Sequence, residues 1–118
     1  MTQGGRTERV GEEFREILAE EIPRLKDPRV GFVTVVGVRV SPDLRHARVA
    51  YTSLGDDKAR AATRAALRSA RPHLRTLIGR QVRLKYLPEI EFEEDTTYEQ
   101  GRRIDELIAG LQRPQDDR

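Results

Sequence analysis

The chain has 118 residues, with 22 Lys and Arg against 20 Asp and Glu, a net charge of +2, and no cysteine. This length fits one domain, and the lack of cysteine excludes disulfides and thiolate metal sites. No apolar run approaches the roughly 20 residues of a membrane span, and the first residues lack the apolar centre of a signal peptide, so we expect a soluble, cytoplasmic protein. Three Phe, three Tyr and no Trp make extensive stacking on bases an improbable mode of binding.

Residues 7–111 carry the apolar pattern of a folded domain, whereas the polar segments 1–6 and 112–118 are predicted to be flexible tails. Thr7 is a candidate N-cap of a first helix, which should fray near Pro23. The apolar residues of this helix recur at helical spacing: Val10, Phe14, Ile17, Leu18, Ile22 and Leu25.

A β-hairpin is predicted next. Asp27 and Pro28 form a turn, and residues 32–40 are rich in β-branched side chains, which favours a strand. The sequence Ser-Pro-Asp at 41–43 is typical of a turn, so residues 47–54 should return as the second strand.

The Ala-rich stretch that begins at Lys58 predicts a second helix. Pro72 lies inside the helical pattern, where its ring removes a backbone donor and clashes with the preceding turn. We therefore expect the helix to kink or restart at about Arg71, with Gly79 as the C-terminal cap of the second piece.

From Val82 the apolar residues alternate, which predicts a third strand that is bulged or lies at an edge near Pro88. Its predicted inner face comprises Val82, Leu84, Tyr86, Ile90 and Phe92. Thr97 and Gln100 form a candidate capping box for a last helix. The apolar positions of that helix are Tyr98, Ile104, Leu107, Ile108 and Leu111.

These elements predict an α+β fold in which helices cover one face of a three-stranded sheet. The order is also that of a KH-like domain of the bacterial type (type II). An ordinary KH domain clamps single-stranded RNA with a G-x-x-G loop between two helices. Here a helix-kink-helix at Ala70-Arg71-Pro72 replaces that loop, so a generic sequence-reading KH module is not expected.

Residues 58–88 contain nine basic side chains and no acidic one. Five of the arginines recur every three or four residues, which places them on one stripe of a helix. Such a stripe creates a positive field suited to nucleic acid, although a solvated helix face is the alternative. The predicted phosphate ligands are Arg60, Arg64, Arg68, Arg71, Arg75, Arg80, Arg83 and Lys85, with Arg29 and Arg45 as second-tier candidates.

Catalysis is poorly supported by the sequence. His46 and His73 lack local motif partners, and hydrolase, nucleotide-binding and zinc-protease motifs are absent. A hard-cation site is conceivable near the third strand, but we expect its carboxylates to pair with Arg39 or Arg48 across the sheet instead. These carboxylates are Glu89, Glu91, Glu93, Glu94 and Asp95. No cofactor and no metal is expected.

Over residues 7–111 the chain resembles the ribosome-binding factor A family of bacterial small-subunit maturation. Five segments in the right order carry the resemblance: DPRVGFVTV at 27–35, VSPDL at 40–44, LGD at 54–56, LKYLPEI at 84–90 and GRRIDELI at 101–108.

The resemblance implies a non-catalytic assembly factor that binds free 30S subunits and assists late assembly and processing of 16S rRNA. It implies contacts near the decoding region and neck, release before translation, a role in cold adaptation and a monomer off the ribosome. The chain departs from the family at the kink, where Pro72 replaces the glycine of the Ala-x-Gly motif. Glycine only permits a bend, because it has no Cβ. Proline forces one, because it lacks the backbone N–H and its ring clashes with the preceding turn, so a stiffer bend is expected.

Two other functions remain open on the residues alone. One alternative is a general single-stranded RNA-binding KH-like protein. The other is a protein-interaction domain that uses its acidic strand end. The first should bind isolated oligonucleotides, whereas the second should be insensitive to neutralising the arginine stripe. A hydrolase is the least supported class.

Overall fold

The computed structural model describes residues 2–96. In chain order these residues form α1 (Thr2–Glu21), a 3-10 turn (Ile22–Arg24), β1 (Val33–Val40), β2 (His46–Ser53), α2 (Asp57–Ser69), α3 (Arg71–Gln81) and β3 (Glu89–Glu94). The predicted α+β, KH-like fold with a helix-kink-helix is confirmed. The predicted last helix and its capping box lie outside the described residues.

The three strands form one mixed sheet in the order β1-β2-β3. The β1 and β2 strands are antiparallel, and β2 and β3 are parallel, with His46 opposite Glu89 and Tyr51 opposite Glu94. The central strand is therefore β2. The β3 strand pairs with β2 along one edge, and its other edge has no neighbouring strand within the described residues.

A bulge in β1 keeps Val33, Val35, Val38 and Val40 on one face. Val35 pairs with Tyr51 and Val38 pairs with Val49, so Val36 is the extra residue between them. Without this insertion the two-residue period would turn Val38 and Val40 outward. The bulge therefore aligns both ends of β1 with the buried face of β2.

The helices pack on the face of the sheet that carries the buried side chains of β1 and β2. The core consists of Phe14, Ile17, Leu18 and Ile22 from α1, Leu67, Leu74 and Ile78 from the other two helices, and Val35, Ala47, Val49, Tyr51 and Ile90 from the sheet. A glycine sets how closely α1 approaches β1, because a Cβ at Gly11 would lie 2.5 Å from the carbonyl oxygen of Val38.

Three predicted boundaries are wrong. The first helix begins at Thr2, so Thr7 lies inside it and is not its N-cap. The flexibility predicted for residues 1–6 stays a prediction. Gly79 lies within α3, whose cap is Val82. The third strand begins at Glu89 rather than Val82, because Pro88 cannot donate to a ladder and strand pairing starts only after it.

Candidate nucleic-acid interface

The α2 helix has a defined start. Gly55 has a φ of +121°, and Asp56 adopts an extended backbone conformation before the helix. The carboxylate of Asp56 accepts a 2.8 Å hydrogen bond from the backbone N–H of Ala59, which caps the first turn. This start fixes the rotation of α2 and hence which way its arginines project.

Two arginines of α2 bind the last residue of β3. Arg60 Nε lies 2.8 Å from Glu94 Oε2, and Arg64 Nη2 lies 3.1 Å from Glu94 Oε1. The Glu94 side chain is only 11% exposed and that of Arg60 16%, whereas Arg64 is 57% exposed. These contacts fasten α2 to β3, and Arg64 retains a face toward solvent.

The arginines also set the ionisation of Glu94. Partial burial raises the pKa of its carboxyl, but hydrogen bonds and charge attraction from Arg60 and Arg64 outweigh burial and hold the pKa below its ordinary value of 4.5. Glu94 is therefore a permanent anion near neutral pH, and it neutralises part of the basic stripe.

The predicted kink lies between α2 and α3, at Ala70. In an uninterrupted helix the N–H of residue 72 would donate to the carbonyl of Arg68, but Pro72 has no N–H. The side chain of Arg71 replaces it, because Arg71 Nε donates to the Arg68 carbonyl oxygen at 3.2 Å. The bend thus leaves no orphaned acceptor at this position.

Arg71 and Arg75 bind the free edge of β3. Arg71 Nη1 donates to the carbonyl of Ile90 at 3.3 Å, and Arg75 Nε donates to that of Pro88 at 2.8 Å. Arg75 Nη2 also lies 3.1 Å from the carbonyl oxygen of Leu87. Both guanidinium groups therefore cover an edge that β2 does not pair.

Arg29 is held within its own turn. Its Nη2 lies 2.7 Å from Asp27 Oδ2, and the hydrogen bonds from Arg29 lower the pKa of the Asp27 carboxyl. Thr63 anchors the same segment to α2, since its Oγ1 donates to the Arg29 carbonyl and accepts from the N–H of Gly31.

The other predicted ligands are less engaged. Within residues 2–96 the exposed guanidinium groups of Arg68, Arg80 and Arg83 form no hydrogen bond or ion pair. Arg45 and Lys85 instead approach the ring of Tyr86, at 4.2 Å and 5.6 Å from its centroid. The ten predicted ligands therefore divide into a set tied to the fold and a set open to a partner. The tied set is Arg29, Arg60, Arg64, Arg71 and Arg75.

Tyr86 and Arg6 were missed by sequence reasoning. Both line a cleft with Arg45, Arg83 and Lys85, although the sequence pattern predicts Tyr86 on the buried face of a strand and Arg6 in a flexible tail. An aromatic residue inside an acid-free basic stretch, two residues before a proline, was the available signal for Tyr86. Only the fold brings Arg6 to the cleft.

The outer face of the sheet is mixed in charge. Arg48 Nε lies 3.9 Å from Glu93 Oε1, which confirms the predicted cross-strand pairing for Arg48. Arg39 forms no such pair within the described residues. In residues 2–96 no three His, Cys, Asp or Glu side chains are grouped to hold a metal ion, and no helix is both long and apolar enough to cross a membrane.

Comparison with known proteins adds to this geometry. A family model described as ribosome-binding factor A matches residues 6–108. The ribosome-binding factor A of Geobacter sulfurreducens is 44% identical over 108 residues, which cover 91% of this chain and 92% of that protein.

Two further structures are similar to this chain. The crystal structure of ribosome-binding factor A from Thermus thermophilus has a TM-score of 0.66 and 32% identity, covering 75% of this chain and 94% of that one. A homology model of the T. thermophilus protein, fitted into the cryo-EM map of a 30S complex, has a TM-score of 0.61 and 31% identity, covering 73% and 91%.

Proposed function

The chain belongs to the ribosome-binding factor A family, and we propose that it binds the free 30S ribosomal subunit and assists late assembly and processing of 16S rRNA. It acts without catalysis, by holding immature RNA through phosphate contacts. The fitted complex of the T. thermophilus relative with 30S supports this choice of partner.

The observation that carries the proposal is the set of unneutralised cations in residues 58–88. Arg68 lies at the kink, Arg80 in the last turn of α3, and Arg83 just beyond it, all exposed and without an ion pair in the described residues. An arginine fixed by carboxylates has little attraction left for phosphate, whereas these three retain theirs. Phosphate contacts position a protein on RNA without reading its sequence.

The tied arginines have a supporting part in this proposal. Arg71 and Arg75 retain N–H groups beyond those used on β3, since each guanidinium carries five donors. They hold the kink against the sheet, and this restrains the position of Arg68, which lies beside the kink. A bend stiffened by Pro72 keeps this presentation constant.

Co-sedimentation tests the proposal. We expect the protein to pellet with free 30S subunits and not with full 70S ribosomes. A triple variant, Arg68→Gln, Arg80→Gln and Arg83→Gln, should lose most of this binding, whereas Arg39→Gln on the outer face of the sheet should retain it. Equal binding of the triple variant and the parent would contradict the proposed surface.

The same assay separates the alternative function. A general single-stranded RNA binder should hold isolated 16S fragments as tightly as it holds the folded subunit. An assembly factor should prefer the subunit, because its cations are spaced to match phosphates fixed by rRNA tertiary structure. The cytoplasmic location, the monomeric state and the role in cold adaptation expected from the sequence stay predictions.

A further inference from the structure

A basic cleft with an aromatic side chain lies at the hairpin end of the sheet. The start of α1, the turn between β1 and β2, and the segment before β3 form its walls, and its volume is about 410 Å³. Its lining includes four basic residues and one acidic residue: Arg6, Arg45, Arg83, Lys85 and Asp43.

The acidic residue is already satisfied. Asp43 Oδ1 accepts a 2.6 Å hydrogen bond from Ser41 Oγ and a 3.0 Å bond from the backbone N–H of Arg45. These bonds belong to the turn itself, in which the N–H of Leu44 also donates to the carbonyl of Ser41 at 2.8 Å. Asp43 therefore shapes the turn, and the cleft keeps an excess of positive charge.

Tyr86 offers an open aromatic surface in this cleft. The residue is 48% exposed although large, and the Arg45 guanidinium lies over the ring, 4.2 Å from the centroid, with Lys85 Nζ at 5.6 Å. A guanidinium over an aromatic ring is held by attraction to the ring quadrupole and by stacking. The pair consists of a planar aromatic ring and a planar cation, both of the kind on which RNA bases stack.

We propose that this cleft binds one unpaired RNA nucleotide, with the base stacked on the Arg45–Tyr86 pair and the phosphate held by Arg83 and Lys85. The inference rests on the proposed function, because it names a subsite within the same RNA interface. It adds a contact to the base where the proposed function requires only phosphates. One exposed tyrosine suffices for one nucleotide, so the low aromatic content of the chain is no obstacle.

Two short probes of equal charge test the subsite: an oligoadenylate and an abasic oligomer with the same number of phosphates. The full-length protein is titrated with each at one salt concentration, and chemical shifts of Tyr86 and its neighbours report binding. We expect the oligoadenylate to bind about tenfold more tightly, since one base stacked on an aromatic side chain contributes that much. Equal affinities would overturn the subsite.

Two variants locate the preference. Tyr86→Leu keeps an apolar side chain at an exposed position, and it should bind both probes equally, at the affinity the parent has for the abasic oligomer. The matched control is Phe32→Leu, because Phe32 is an 80% exposed aromatic residue before β1, at the other end of the sheet. This control should retain the preference. A preference that survives Tyr86→Leu would also overturn the subsite.

Sedimentation with free 30S subunits keeps this inference separate from the proposed function. If the parent pellets with subunits but shows no preference for the base, the subsite fails and the proposed function stands. If the parent does not pellet, the proposed function fails, and the oligonucleotide titration alone then decides the subsite.

Discussion

Arg75 Nε lies 2.8 Å from the main-chain carbonyl oxygen of Pro88. A side chain that the sequence suggested as a phosphate ligand is thus a structural tie between α3 and the segment that begins β3. A hydrogen bond from a charged donor to a carbonyl stabilises a fold more than a neutral one does. Substitutions at Arg75 should therefore act on stability as well as on RNA binding.

We expect Arg75→Gln to lower the free energy of unfolding by about 1 kcal/mol, because the donors to Pro88 and Leu87 lose their charge and reach. Urea denaturation measures the loss, and hydrogen exchange should show faster opening of β3. The control is Arg80→Gln, at an exposed position without a partner in residues 2–96. If both variants lose the same stability, the contact with Pro88 contributes nothing.

The double variant Arg71→Glu, Arg75→Glu should lose 30S binding, and it should also be less stable than the parent. The loss of stability is expected because the structure places both side chains against carbonyl oxygens of the β3 edge. The introduced glutamate carboxylates are negative, and the carbonyl oxygens carry a negative partial charge, so the two groups would repel each other. Binding must accordingly be compared at a temperature where the circular dichroism of the variant shows it folded.

Pro72→Ala should join α2 and α3 into a straighter helix. The new N–H restores the donor to the Arg68 carbonyl, which Arg71 Nε satisfies in the bent form. Pro72→Gly should keep the bend but loosen it, because glycine disfavours a continuous helix. Backbone chemical shifts at Ala70 report the change, and identical helix boundaries in Pro72→Ala would show that Pro72 does not set the bend.

Gly11→Ala should destabilise the protein by about 1–3 kcal/mol, the usual cost of overpacking. The added Cβ would lie 2.5 Å from the backbone carbonyl oxygen of Val38. A backbone atom in a strand cannot relieve the clash by changing rotamer, as a side chain can. Gly5→Ala is the matched control in the same helix, since nothing lies within 4 Å of its Cβ position. That variant should be neutral or more stable, because alanine favours a helix. Thermal denaturation of the pair separates packing from propensity.

Stability should fall with acid through Glu94. Its pKa is depressed in the folded protein, so its contribution is complete above the unfolded value of about 4.5. The contribution is lost as the pH falls below 4.5 and through the folded pKa, because the folded state binds that proton less readily. Glu94→Gln should cost on the order of 2 kcal/mol at neutral pH, less than a fully buried pair because Arg64 is half exposed.

The pH dependence of unfolding checks this assignment. Glu94→Gln should show a flatter acid limb than the parent, while Glu91→Gln, on the exposed outer face, should reproduce the parental curve. An unchanged acid limb in Glu94→Gln would place the acid sensitivity elsewhere.

Binding to 30S subunits should weaken steeply with salt, because each cation that neutralises a phosphate releases condensed counterions. Removing one phosphate contact, as in Arg83→Gln, should reduce the slope of log K against log salt by about 1. The slope for Arg39→Gln should equal that of the parent. Affinity that stays flat between low and moderate salt would argue against phosphate contacts.

Hydrophobic periodicity predicted the order and type of every described α-helix and strand, and most boundaries to within a residue or two. It failed at the start of α1, where polar residues are helical without apolar spacing, and where a backbone constraint overrides the pattern. The alternation from Val82 to Tyr86 is that of a strand, yet Pro88 delays pairing to Glu89. The bulge at Val36 was not predicted, since one extra valine in a valine-rich run leaves no local sign of which residue is unpaired.

The charge pattern predicted a basic surface but not the use of each arginine. Arg60 and Arg68 lie on the same helical stripe, and locally they differ in Asp57, whose Oδ1 lies 4.0 Å from Arg60 Nη1. The shorter ion pair of Arg60, at 2.8 Å, is with Glu94, which is distant from both arginines in the chain and reaches Arg60 only through the sheet. Residues separated this far in the sequence become partners only in the tertiary fold, and local sequence patterns do not encode which of them will meet.

The parallel pairing of β2 and β3 constrains how the chain folds. The β1–β2 hairpin closes over the short turn of residues 41–45, whereas β3 reaches its place beside β2 only after residues 54–88 have been folded back across the sheet. Closing the longer loop costs more chain entropy before any contact compensates it. The hairpin should accordingly form before β3 pairs with β2, and Arg71 and Arg75, which bind carbonyl oxygens at the β3 edge, stabilise that later pairing once it has formed.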